Sequence, residues 1–317
     1  MTSPAASHPD PRTPAFPSCA RVNTLATVFA PTVGAPISVG VACVYGLPTH
    51  ALVGLFAMAY ATGFGVTIGF HRLFAHRSFA TPRPVERALM ILGCMAGQSS
   101  PFFWVATHRL HHRHSDEDGD PHSPHTAGGR PLGLWRGFWH SHAGWLRSRG
   151  FGYSPGTVGD LARRPDLARI DRHWFPWYAA GLAIPSGVGY AVGGTMYDAL
   201  IGLLWGGLLR HFLTLQATFC VNSVNHLWGS RPYPTADHSR NNLATGILAF
   251  GEGWHNNHHA FPWSARHGLR WWQADFSWWV IRVMEACGLA WRVRRANPAC
   301  SPRVDERGVR AGTVAVR

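Results

Sequence analysis

The 317-residue sequence predicts an all-α protein: an integral membrane bundle of four transmembrane helices with a helical, histidine-rich cap on its cytosolic side. Three observations predict it. Charged residues make up only 14% of the chain and avoid several long apolar runs. All 29 basic residues are arginines, and they lie in segments flanking those runs, the bias expected of cytosolic loops. Histidines recur in repeated short spacings at the ends of the runs, where several segments would meet.

Residues 1–26 are rich in Pro, Ser, Ala and Thr, and no A-x-A sequence follows an apolar stretch, so they read as a disordered tail and not a signal peptide. Residues 28–46 are apolar over about the 20 residues that cross a bilayer, with Pro31 and Pro36 tolerable in that setting. Residues 51–70 form a cleaner span that ends directly on His71, after an arginine-free turn. The segment 88–106 begins apolar but is interrupted by Gly97, Gln98, Ser99, Ser100 and Pro101. A full crossing here would leave His71 and His108 on opposite sides of the membrane, so it is expected to be re-entrant or interfacial. Residues 107–172 are polar and arginine-rich, and spans follow at 174–194 and 199–221, joined by a second arginine-free turn. Arg210 and His211 fall inside the last span, where charge is expensive, and face either other helices or a wet, catalytic cavity. With both arginine-free turns outside, four crossings put both termini and every histidine cluster in the cytosol. Trp271, Trp272, Trp278 and Trp279 recur at i, i+1, i+7 and i+8, which predicts an amphipathic interfacial helix over about 269–288. Residues 300–317 are tail-like, leaving 27–299 as one membrane domain.

His255, His258 and His259 stand at i, i+3 and i+4, so one helical turn projects three imidazoles from one face. His108, His111 and His112 repeat the spacing, His71 and His76 form a third group, and His226 adds a ninth candidate. Imidazole is the commonest metal-ligating side chain, and an octahedral ion accepts about six ligands. Nine histidines therefore imply two metals, or else that some do not ligate; two metals is the reading favoured here. Cys19, Cys43, Cys94, Cys220, Cys287 and Cys300 are widely spaced with no C-x-x-C pair, which excludes zinc ribbons, iron–sulfur clusters and a disulfide framework. Because the arginines flank apolar runs, their excess points to membrane and not to nucleic acid. A metal transporter or sensor would place its ligands near mid-membrane, whereas these lie at span ends and in cytosolic segments.

The ordered set H-R-L-F-A-H (71–76), H-R-L-H-H (108–112), N-S-V-N-H (222–226) and G-E-G-W-H-N-N-H-H-A-F-P (251–262), interleaved with four spans, closely resembles the membrane fatty-acid desaturases of the Δ9 acyl-CoA (stearoyl-CoA) type, bacterial branch. The likeness covers about residues 28–295, and G-D-P-H at 119–122 and G-L-R-W-W at 268–272 extend it. The resemblance implies two iron ions held by His71, His76, His108, His111, His112, His226, His255, His258 and His259, with Asn222 contributing through a water. It also implies an acyl tunnel kinked by Gln98, Trp104 and Thr218, and an O2-dependent reaction that inserts a cis double bond into an acyl-CoA or acyl-lipid chain. Acyl-CoA enzymes of the family carry Asn after that Gln and Arg-Asp before the second box; here Ser99, Ala106 and Thr107 stand in those places, so their coenzyme contacts do not transfer, and the substrate is acyl-CoA held differently, an acyl group on a carrier protein or an acyl chain esterified in a lipid. His114 replaces a usual aromatic, and His122, His125, His140, His142 and His173 are read as supporting or surface histidines, His122 first among them. With no H-P-G-G haem motif, no cysteine cluster and only a membrane-embedded Gly63-Phe64-Gly65, electrons must come from a separate ferredoxin or cytochrome b5-like donor. The alternative on the same scaffold is a diiron hydroxylase or alkane oxygenase. The setting implied is a bacterial inner membrane, with membrane lipid as the surroundings.

Overall fold

A computed structural model of the chain describes residues 18–147 and 155–297. The tail expected over 1–26 lies in part outside these residues, as does the whole of 300–317. Among the described residues helix already begins at Ser18, inside the segment read as a tail, and no proline interrupts it until Pro31.

The first helix, α1 (Ser18–Tyr45), is followed after a short turn by α2 (Thr49–Ala75). Next come α3 (Arg83–Met95) and α4 (Pro101–His114), a two-stranded hairpin (Thr126–Ala127 with Arg130–Pro131), α5 (Leu134–His142) and α6 (Pro165–Arg172). An antiparallel pair, α7 (Trp174–Gly193) and α8 (Met196–Leu227), precedes the short helices α9 (Leu243–Leu248), α10 (His255–Ala260) and α11 (Phe276–Ala286). Among the described residues three helices are long and apolar enough to cross a membrane: Ala26–Tyr45, Thr49–Ala75 and Met196–Leu227. Helix α7 has 20 residues and is not among these three. Phe29, Val53, Phe56, Ile184, Val188, Val192 and Leu213 are exposed apolar side chains on these four helices.

Local chemistry fixes the turns. Gly194 takes the left-handed conformation (φ 81°) that ends α7, and Thr195 and Asp198 form a capping box that starts α8, so the two helices reverse within two residues. The interrupted segment 88–106 is two helices with a sharp turn between them. Gly97 (φ 73°) and Ser99 (φ 71°) are both left-handed, Ser100 caps α4 by accepting from Phe103 N, and Pro101 occupies the first turn. Arg210 holds this turn from behind, donating to the carbonyls of Met95 (3.0 Å), Gly181 (3.1 Å) and Gly206 (3.2 Å), so it and the buried His211 face protein.

Helices α2 and α8 each contain a π-helical stretch, Gly65–Ala75 and Leu203–Leu209; such widened turns concentrate at functional sites. In α2 this stretch carries His71 and lets Gly65 meet the backbone of α3, where an added Cβ would stand 2.2 Å from Gly93 N. The interfacial helix expected over 269–288 is shorter. Asp275 caps α11 by accepting from Trp278 N, which leaves Trp271 and Trp272 in the preceding turn. The four tryptophans therefore do not share a helical face: Trp271 is 94% exposed, whereas Trp278 packs on the core and takes Arg282 and Arg295 against its ring.

Because Gly65 has no room for a side chain, Gly65→Leu should lose monodisperse, detergent-solubilised protein, overpacking of this kind costing about 1–3 kcal/mol or more. Gly40, with nothing within 4 Å of a built Cβ, should accept alanine without change. Size-exclusion chromatography of the two variants checks both.

Candidate metal centre

Four elements deliver the nine sequence-predicted histidines. The end of α2 supplies His71 and His76, α4 supplies His108, His111 and His112, the end of α8 supplies His226, and α10 supplies His255, His258 and His259. They separate into two groups. Ligating atoms of His71, His76, His108, His112 and His258 lie within 4.8 Å of one another, and so do those of His111, His226, His255 and His259.

In the first group Nε2 atoms face each other at 3.1 Å (His71 to His258), 2.7 Å (His76 to His108) and 2.9 Å (His112 to His258). In the second, His226 and His255 do so at 3.1 Å. Hydrogen bonds do not account for the first set. The Nδ1 of His71 faces Glu252 at 2.5 Å and carries the ring proton, so its Nε2 is a lone pair, and one proton on His258 Nε2 cannot serve both His71 and His112. An ion about 2.1 Å from each nitrogen puts neighbouring octahedral ligands about 3.0 Å apart, close to these separations. Buried Nε2 atoms of His111 and His259 have no hydrogen-bond partner at all. Both groups thus fit metal ions.

Carboxylates hold the outer nitrogens. His111 Nδ1 lies 3.0 Å from Asp120, His226 Nδ1 2.8 Å from Asp116, and His259 Nδ1 2.7 Å from Asp237. This contact fixes the tautomer that aims Nε2 inward. Burial opposes ionisation of these three aspartates, but the adjoining imidazoles outweigh it and hold their carboxyls well below the usual range. Burial first, and then crowding by other rings, pushes His76, His108, His112, His255 and His258 well below 6.5, and burial takes His259 down to about 4. At neutral pH these six rings are therefore neutral donors. Glu252 also meets Arg72 (3.1 Å) and His267 (3.3 Å); Arg72, fully buried, donates on to Asp275 (2.9 Å) and to the Ala265 carbonyl (3.0 Å), tying the last histidine loop to α2.

Two cavities meet beside these groups. Gln98, Trp104, His108, Thr218 and Asn222 line both, and His71, His111 and His255 line the second. At the junction Trp104 Nε1 donates to Gln98 Oε1 (3.1 Å) and Gln98 Nε2 donates to Thr218 Oγ1 (2.8 Å). Of the remaining histidines, His122 lines the first cavity, stacks near His111 and is lowered by burial to about 3. His142 bonds Ser223 and Gln216, whereas His114 and His140 are half-buried and His173 is exposed.

The model of the fatty acid desaturase family matches residues 48–294, most of the chain and all four histidine-bearing segments. The chain belongs to the fatty acid desaturase family. Relatives include a hex-5-enoyl-(acyl-carrier protein) acetylenase of Moorena producens (strain JHB), 38% identical over 83% of each chain. An sn-1 stearoyl-lipid 9-desaturase of Anabaena variabilis is 39% identical over 78% of this chain and 85% of its own. An icosanoyl-CoA 5-desaturase of Limnanthes douglasii is 38% identical over 78% of this chain and 66% of its own. The desaturase is accordingly an oxidoreductase acting on acyl chains, as its relatives are.

Sequence reasoning missed the carboxylates and His267. Glu252 and Asp120 sit inside motifs already singled out, G-E-G-W and G-D-P-H, where their types could have been read as partners for imidazole. Asp116, Asp237 and His267 lay outside any motif singled out, and the contact of Asp116 to His226 spans a long stretch of chain. Removing the charge at Asp237 should weaken metal retention in the desaturase by about 10–100-fold, the usual cost of losing such a partner. Competition of Asp237→Asn against a graded series of chelators measures it, and retention equal to wild type would show that the contact does not orient His259.

Proposed function

We propose that the chain is an O2-dependent desaturase that inserts a cis double bond, at the Δ9 position, into a saturated acyl chain carried as acyl-CoA or acyl-lipid. In this reading His71, His76, His108, His112 and His258 hold one iron ion, and His111, His226, His255 and His259 hold the other, with Asn222 beside the second through a water. When bound, two irons supply the oxidising power to activate O2, which no amino-acid side chain provides. Two C–H bonds break, a C=C bond forms, and O2 leaves as two waters with two protons and two electrons added. Those electrons come from a separate ferredoxin or cytochrome b5-like chain, drawn to the arginine-rich face.

The observation that carries this reading is the junction of the two cavities. Gln98, Trp104 and Thr218 are hydrogen-bonded into one unit there, and both cavities pass histidines of the candidate centre. The residues bind the chain through apolar walls, bend it at the junction and exclude water from the reacting carbons. In this reading α7 crosses the membrane together with the three apolar helices, and both termini lie in the cytosol of a bacterium with the bundle in its inner membrane. The carrier follows from the relatives only as a range, since their names specify acyl-carrier protein, lipid and coenzyme A.

Expression in a host lacking unsaturated fatty acids, followed by mass-spectrometric location of the double bond, tests the reaction. A Δ9 monounsaturated product is expected, and a hydroxylated product would favour the alternative oxygenase chemistry. His258→Ala should abolish product while membrane insertion persists. Trp104→Ala and Thr218→Val, which loosen the bend, should cut turnover by on the order of 10²-fold or scatter the double-bond position at unchanged iron content. Unchanged rate and position in both would remove the positioning role.

A further inference from the structure

A third group of metal-ligating side chains lies at the solvent edge of the second histidine cluster. Asp116 follows α4 in a left-handed conformation (φ 63°), His125 precedes the hairpin, and His238 lies between α8 and α9. One ligating atom of each lies within 4.8 Å of the other two.

Their geometry is that of a prepared site. His125 Nε2 stands 3.0 Å from the carbonyl oxygen of His226. A carbonyl only accepts, so Nε2 carries the ring proton and the lone pair sits on Nδ1, the arrangement that orients ligating histidines in metal sites. His238 Nδ1 is 3.8 Å from Asp116 Oδ2, too long for a hydrogen bond and near the roughly 3.4 Å edge of a tetrahedral ion with bonds of about 2.1 Å. The site is reached from solvent through His238, whose side chain is 52% exposed, while that of Asp116 is 2% exposed. Asp116 Oδ2 also accepts from His226 Nδ1 at 2.8 Å and from the backbone N of His238 at 2.8 Å, and its Oδ1 accepts from Ser123 at 3.0 Å. One carboxylate thus joins the outer trio to a histidine of the buried cluster.

We propose that Asp116, His125 and His238 form an accessory, solvent-accessible site for a divalent first-row transition metal, and that it supplies metal to the cluster of His111, His226, His255 and His259. Two imidazoles and one carboxylate suit iron, cobalt, nickel or zinc in preference to magnesium or calcium. Three protein ligands leave positions for water, so an ion held here exchanges readily. In the buried cluster His111 and His255 line the second cavity, whereas His226 and His259 line neither of the two cavities, and all four are buried. The site needs only its own three side chains, whereas the supply role rests on the two-metal reading above.

The test uses the full-length, iron-loaded protein in detergent, titrated with Co2+ and followed by visible absorption and elemental analysis. Wild type should bind one further Co2+ per chain, removable by brief EDTA treatment that leaves iron in place, and His238→Ala and His125→Gln should each lose it. Iron-free His238→Ala should take up Fe2+ at least 10-fold more slowly than wild type and reach the same final content. Equal Co2+ binding in wild type and both variants would overturn the site, and equal uptake rates would overturn the supply role. A normal Co2+ site in a protein whose four-histidine cluster never holds iron leaves the site standing and removes the supply role together with the two-metal reading.

Discussion

The whole structure depends on holding nine imidazoles with their nitrogens turned inward in a space that water scarcely enters. Neutral imidazole has one N–H, and the first group has five inward-facing donors crowded at separations near 3 Å. No assignment of protons satisfies such a set, and protonating the rings would crowd positive charge where burial already disfavours it. The surrounding charges fit two divalent cations instead. Arg72 is matched by Asp275, which leaves Glu252, Asp116, Asp120 and Asp237 as four buried negative charges around the two groups, equal to the charge of two M2+ ions. Metal binding is therefore coupled to the stability of the fold, since the empty site leaves those carboxylates uncompensated.

Backbone geometry serves the same end. The left-handed residues at 97 and 99 turn the chain back so that α4 points its histidines at the ends of α2 and α8. That turn is anchored by a buried guanidinium that finds carbonyls and no carboxylate, and Gln98 within it meets Thr218 across the cavity. Placement of the candidate ligands on α4 and of Gln98 between the two cavities are thus two consequences of one interrupted helical segment.

Much of this was legible in the sequence, and the reasons are local. Spacings of three and four follow from helix periodicity, so it was legible that His108, His111 and His112 would share one helical face and His255, His258 and His259 another. The break at 97–101 was visible in Gly, Ser and Pro, and the need to keep His71 and His108 on one side gave its sense. What stayed hidden depends on long-range contacts or on one capping residue. The division of nine histidines into five and four, and the pairing of His226 with Asp116, arise where distant segments meet. Asp275 shortens the last helix and takes Trp271 and Trp272 out of it, although their spacing from Trp278 and Trp279 is helical. Gln98, Trp104 and Thr218 came with the family likeness; that they bond to one another required the fold.

Five and four inward-facing imidazoles with four buried carboxylates around them call for two ions. Elemental analysis of monodisperse protein, reconstituted with saturating Fe2+ and freed of loosely bound metal by EDTA, tests this most directly. Two irons per chain are expected; one or fewer in protein that remains folded would contradict the account.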